Sequence, residues 1–313
     1  MIRQSRLLII TFMVTVVSAI LVNLFIDKNS SNKWTPDEKH AIEMAEYWFR
    51  LVNTMKEDLG LSKPSYANFE YWGLLGSEFT LITTTLGNFD AKQTAANPEF
   101  AGLIYRWLVE CKMGKEDYLG INLSGSFPSL AIASLAAAQT LGCNVIMISS
   151  LGASMYGANE MEATWIDIES YLIKRGGLKY KSKLLTLGGV NDNGGGIQEE
   201  GIESLRISVM RNNKQLFIPQ NLEEAIQKRE EIFLSESISV LINIGGNHAS
   251  LGGCSHSPLF PNGLVKEYAS CDHKKRGLLQ RIAEKRIPII HLLNIKELAI
   301  KNNLKLTPSK PAK

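Results

Sequence analysis

The chain has 313 residues, of which 45% are hydrophobic and 21% charged, with a formal net charge of +3. Such a composition suits a globular protein with one large core or two smaller ones. The small net charge, with no arginine-rich or aromatic-interleaved basic run, argues against nucleic acid as a partner.

Residues 7–26, LLIITFMVTVVSAILVNLFI, carry no charge. As a helix they span roughly 30 Å, the hydrocarbon thickness of a bilayer. Arg3 and Arg6 precede the run, so the positive-inside rule keeps the N-terminus in the cytoplasm and exports the rest. The competing reading is a cleaved signal peptide with VSA at 17–19 as its processing site, although the apolar run continues past Ala19. The expected organisation is a transmembrane anchor at 1–26, a polar linker at 27–34 and an extracytoplasmic α/β domain at 35–313. The protein would sit in the inner (cytoplasmic) membrane as a single-pass chain.

The exported body opens with a helix. Thr35 is a suitable N-cap, Pro36 suits the first helical position, and Asp37 and Glu38 complement the helix dipole. Apolar residues at 41, 44, 45, 48, 52, 55 and 59 share one face, and His40 belongs to the surface. Thr83, Thr84 and Thr85 form a threonine run that predicts a strand. TAANPEF (94–100) reads as a loop with a helix starting around Pro98.

After residue 117 the pattern alternates. Short apolar runs at 118–123, 144–149, 183–187, 238–244 and 287–293 predict strands buried on both faces. Helices are expected at 128–141, 162–175, about 197–211 and 221–233, the last opening with Asn221 and Glu224 as in a capping box. Gly176 and Gly177 punctuate the second of these helices. Strand–helix alternation implies a mainly parallel, Rossmann-like three-layer α/β sheet, preceded by the anchor and the helical segment.

Ligands bind such sheets at the carboxyl ends of the strands. Four Gly- or Ser-rich loops fall there: 124–129, 149–159, 188–196 and 245–253. Their backbone N–H groups would suit carboxylates and other anions. Candidate substrate-binding residues in these loops are Ser124, Phe127, Gly152, Ser154, Gly157, Asn159, Asn191, Gly194, Gly195 and Asn247. Nucleotides fit poorly. Gly152 and Gly157 have the Walker A spacing, but Ala158 and Asn159 stand where Lys and Ser/Thr are required.

Ser126 lies at a strand-to-helix turn, where a nucleophilic serine can sit, although the strict G-x-S-x-G pattern is missing. The bland alternative is that Ser126 or Phe127 caps the helix begun by Pro128. If Ser126 attacks, His248 is the expected base and Asp192 its orienter, with the oxyanion held by N–H groups near Phe127 and in the 152–157 loop. His291 lies in an apolar run and reads as a core residue. His256, His273, Asp272 and Asp192 have no metal-ligand spacing, so no metal and no cofactor is expected. Of the four cysteines, Cys254 and Cys271 could pair in an oxidising compartment, Cys143 reads as a small buried hydrophobe, and Cys111 is unassigned.

Several long stretches resemble the poly-gamma-glutamate system protein family of bacterial capsule systems. They include LLGSEFTLITTTLGNFDAKQTAANPEFAGLI (74–104), GINLSGSFPSLAIASLAAAQTLG (120–142), MISSLGASMYGANEMEATWIDIESYL (147–172), LGGVNDNGGG (187–196), LINIGGNHASLG (241–252) and PIIHLLNIKELA (288–299). The resemblance implies a membrane-anchored accessory component of poly-γ-glutamate synthesis, export or attachment. Its partners would be the polymer, the membrane and other capsule-synthesis subunits. It transfers no catalytic residues. Two mechanisms stay open: a serine-type hydrolase or γ-glutamyl transferase, and a non-catalytic polymer-binding or scaffold protein.

Overall fold

The computed structural model describes residues 34–64, 69–253, 260–268, 270 and 275–306, together with positions 13, 15 and 18. The rest of the expected anchor, the linker up to residue 33, Cys254, Cys271, His256, Asp272 and His273 lie outside the described residues. Among the described residues no helix is long and apolar enough to cross a membrane.

Helix α1 (Pro36–Asp58) starts as its sequence requires. Thr35 accepts from the Glu38 N–H, and the Glu38 carboxylate accepts from the Thr35 N–H at 2.8 Å, closing a capping box. Two helices follow, α2 (Phe89–Ala95) and α3 (Glu99–Glu110), with Pro98 at the N-cap of the second. The threonine run does not form a strand. Thr83 makes a single bridge to Ala153. Its hydroxyl accepts from the Thr80 N–H and from Asn159 Nδ2, each at 2.9 Å. Hydroxyls that bond locally compete with a sheet ladder, and here the run docks along the loop at 152–155 instead.

The alternating half follows the expected order. It runs β1 (Tyr118–Ser124), α4 (Pro128–Leu141), β2 (Asn144–Ser150), a short hairpin of β3 (Asn159–Glu160) and β4 (Ala163–Thr164), then α5 (Trp165–Gly176) and β5 (Ser182–Thr186). Next come α6 (Glu199–Arg211), α7 (Leu222–Ser235), β6 (Val240–Ile244), α8 (His248–Leu251), β7 (Gly263–Val265), α9 (Leu278–Glu284), β8 (Ile289–Leu292) and α10 (Ile295–Lys301). The six-stranded sheet has the order β5-β2-β1-β6-β8-β7. All pairs are parallel except β7 with β8. The β5 edge is covered by a bridge to Leu216, with the Phe217 N–H donating to the Leu185 carbonyl at 2.8 Å.

The period of two in the strands sorts side chains into two apolar layers. Leu119, Ile121, Leu123, Met147, Val240, Ile242, Ile290 and Leu292 pack with α1, α3, α4 and α5 on one face. Ile146, Ile148, Leu241 and Ile289 pack with α7 and α9 on the other. His291 is fully buried in the sheet, as its apolar run suggested. Asn243 Nδ2 donates to its Nδ1 at 3.0 Å, and burial depresses its pKa to about 4, keeping the imidazole neutral.

On the α7 face, β1 presents Asn122 instead of an apolar side chain, and a fully buried Arg229 from α7 meets it. Arg229 Nε donates to Asn122 Oδ1 at 3.1 Å, and one Nη donates to Ser150 Oγ at 3.0 Å and Thr186 Oγ1 at 3.1 Å. Its other Nη lies 2.6 Å from Asp192 Oδ2 in a buried ion pair. The Asn122 amide donates in turn to Asn243 Oδ1 at 2.7 Å. One guanidinium therefore ties together β1, β2, β5, the loop after β5 and, through Asn122, β6. Breaking a buried ion pair by removing one partner costs about 3–5 kcal/mol, because the other charge is left uncompensated. Arg229→Met should lose about that much in urea unfolding, and Arg229→Met combined with Asp192→Asn should lose less. Equal losses would show that Asp192 leaves no stranded charge.

Candidate functional site

Chain order leaves β1 for β2 and β5 on one side and returns to β6 and β8 on the other. The carboxyl ends of β1 and β6 therefore flank the switch point, where a parallel sheet opens a crevice. A cleft of about 600 Å³ lies there. It is lined from behind by residues following β1, β2, β5, β6 and β8, and from in front by residues 84–88, Ala91 and Lys92.

The floor depends on close backbone approach. A Cβ on Gly125 would lie 2.7 Å from the Leu151 carbonyl oxygen, so only glycine lets the loop after β1 pass the loop after β2. Gly245 turns the chain out of β6 with φ +85, in the left-handed region that favours glycine.

Of the residues expected at the site, Ser124, Ser126, Phe127, Gly152, Ser154, Asn247 and His248 line the cleft. The others hold the loops in shape. Asn159 is fully buried and donates to the Ser77 carbonyl and Thr83 Oγ1, each at 2.9 Å. Gly157 packs against the Ser126 backbone. Gly194 N–H donates to the Gly188 carbonyl, and the Gly195 carbonyl accepts from the Val190 N–H, closing the loop on itself. Asn191 has φ 55, and its N–H donates to His248 Nδ1 at 3.1 Å.

The expected Ser126–His248–Asp192 relay does not form in this geometry. Asp192 is held by Arg229, by Ser150 Oγ at 2.8 Å and by Thr186 Oγ1 at 3.0 Å. His248 Nδ1 is taken up by the Asn191 backbone N–H. No hydrogen bond joins it to Ser126 or Asp192 among the described residues. The loop N–H groups differ from expectation as well. Those of residues 152–157 are occupied within the fold: Gly152 bonds the Leu187 carbonyl, Met155 bonds Thr85, and Ser154 bonds the Ser126 hydroxyl. Buried N–H groups require partners, and a loop folded this tightly supplies its own.

Ser126 does not cap α4 with its side chain. Phe127 occupies the N-cap, with no side-chain hydrogen bond. The Ser126 hydroxyl accepts from the Ser154 N–H at 3.0 Å and bonds Ser124 Oγ at 2.9 Å. This places three serines from two strand ends side by side.

Facing them is a residue the sequence did not single out. Lys92 extends from α2 and is only 4% exposed. Its Nζ donates to the Ser126 carbonyl and, at 2.8 Å, to Ser154 Oγ, and lies 4.0 Å from the centre of the Phe127 ring. Among the described residues no carboxylate pairs with it, and burial lowers its pKa from the ordinary 10.5 to about 7. The uncharged amine, the state in which a lysine can accept a proton, is thus reached near neutral pH. Among the described residues, no group of three His, Cys, Asp or Glu side chains could hold a metal ion.

Comparison with family models, with curated proteins and with solved structures found no match to this chain.

Burial of Lys92 has a thermodynamic signature. Between pH of about 7 and 10.5 the unfolded chain keeps the Lys92 proton and the folded chain has lost it. Stability therefore rises with pH across that window, by up to about 1.4 kcal/mol per pH unit from this group. Lys92→Met should flatten the slope of unfolding free energy against pH by that amount. An unchanged slope would mean that the amine keeps its charge when folded.

Proposed function

We propose that this chain is an accessory component of poly-γ-glutamate synthesis, export or attachment, and that it holds a segment of the polymer in the cleft at the sheet switch point. The observation that carries the reading is the charge of the lining. Among the described residues the cleft presents no aspartate or glutamate, although the whole chain has 31. Its titratable side chains are Lys92 and His248, and the N-terminal end of α4 opens onto it at Ser126 and Phe127.

A polymer with a carboxylate on every unit is repelled by like charge and attracted to the positive end of a helix dipole. Ser124, Ser150, Thr84 and Asn247 add side-chain hydrogen-bonding groups along the walls. The family resemblance supplies the polymer, and the carboxylate-free lining supports it. The membrane anchor, the exported placement and the capsule-synthesis partners belong to the same proposal and rest on the sequence. No cofactor is required.

The test is calorimetric titration of the purified full-length chain with short γ-glutamyl oligomers and with the same oligomers amidated to remove their charge. Charged oligomers should bind, amidated ones should bind at least tenfold more weakly, and rising salt should weaken the charged complex. Val190, 55% exposed at the rim of the cleft, offers a place to add repulsion. Val190→Glu should weaken binding about tenfold, roughly 1.4 kcal/mol. Met210→Glu, outside the lining, should leave it unchanged. Equal binding of charged and amidated oligomers would overturn the reading.

A further inference from the structure

We infer that Ser154 and Lys92 form a serine–lysine acyl-transfer centre, with Ser154 as nucleophile and Lys92 as its general base. The substrate class, an amide bond in a carboxylate-bearing γ-glutamyl chain, rests on the polymer-binding reading above. The nucleophile and base rest on the contact geometry of Lys92 and Ser154, supported by the burial of the amine, and do not depend on the polymer.

Three serines border this part of the cleft, and only one has a base. Ser154 Oγ lies 2.8 Å from Lys92 Nζ. Ser126 Oγ is bonded to the Ser154 N–H and to Ser124 Oγ, and Lys92 reaches the Ser126 backbone carbonyl rather than its hydroxyl. That carbonyl fixes one amine hydrogen and so orients the amine. In the uncharged amine the lone pair is then free to take the hydroxyl proton of Ser154. The Phe127 ring covers the amine from one side and helps to exclude water.

A serine activated by a neighbouring lysine is a known variant of the nucleophile–base arrangement. The base must be uncharged near working pH, which burial achieves for Lys92. In the first step Ser154 Oγ bonds to the carbonyl carbon of the amide as its proton passes to Lys92 Nζ. The C–N bond then breaks, and the Lys92 ammonium returns that proton to the departing amine. This leaves an ester on Ser154. In the second step water, deprotonated by Lys92, attacks the ester carbonyl. The C–O bond to Ser154 breaks, and the serine recovers its proton from Lys92. Hydrolysis releases a carboxylate and an amine. If an amine on an acceptor takes the place of water, the same two steps transfer the chain.

The decisive experiment is fluorophosphonate labelling of the purified full-length chain, with the modified residue mapped by mass spectrometry. It needs no polymer, so its outcome is independent of the oligomer titration. The expected result is one adduct on Ser154. Lys92→Met should slow the labelling at least a hundredfold while keeping a cooperative thermal transition. Ser126→Ala should still label at Ser154, and Met210→Glu, outside the cleft lining, should label at the wild-type rate. The inference is overturned by an adduct on Ser126 or Ser124, by Ser154 labelling that ignores Lys92→Met, or by no adduct on folded wild-type protein. Labelling at Ser154 without oligomer binding would leave the catalytic pair standing and remove the polymer as its substrate. Binding without labelling would do the reverse.

Discussion

A single buried guanidinium organises the working edge of this protein. Arg229 reaches from α7 through the sheet's polar seam and bonds Asn122 of β1, Ser150 and Thr186 at the ends of β2 and β5, and Asp192 in the loop that follows β5. A charge so deep is tolerated because nearly all of its hydrogen-bonding directions find partners. The chain of bonds continues from Asn122 to Asn243 and on to the Gly245 carbonyl at 2.7 Å. The amides beside the switch point are therefore locked in orientation before any ligand arrives. The same locking turns Asp192 toward Arg229, Ser150 and Thr186. A carboxylate that neutralises Arg229 is structural, and the cleft is built above it.

Lys92 is the counterpart in front. Arg229 is buried with compensation and stays in place as a strut. Lys92 is buried with no carboxylate beside it among the described residues, and burial lowers its pKa to about 7. The two cations show how one rule, the cost of removing charge from water, yields a scaffold in one place and a reactive amine in another.

Much of the architecture was legible along the chain. Strands buried on both faces read as short apolar runs, and β1, β2, β5, β6 and β8 were found from that signal. Thr35 and Asn221 marked helix starts through capping chemistry, and the four Gly- and Ser-rich loops all contribute to one cleft. What stayed hidden depends on distant contacts. Lys92 meets serines that lie 34 and 62 residues further along, and nothing in FDAKQTA announces it. Arg229 did leave a trace. It sits among Leu222, Ala225, Ile226 and Phe233, at a spacing that puts it on the apolar stripe of α7. The run KREE nevertheless resembles a solvated face. The loops misled in a different way. Their composition promised free N–H groups, and at 152–157 the tight folding used those groups internally.

The margins of the sheet bear on what this body can meet outside itself. An open strand edge offers a row of unpaired donors and acceptors to any extended amide chain, including another copy of the protein. Here β5 is covered by the bridge at Leu216, and the other margin is the three-residue antiparallel β7. Neither gives a long template for strand addition. Among the described residues, neither sheet margin therefore invites an extended chain to add as a long extra strand. An extended polyamide that reaches the sheet finds little backbone to pair with along either side and is left with the open end of the strands.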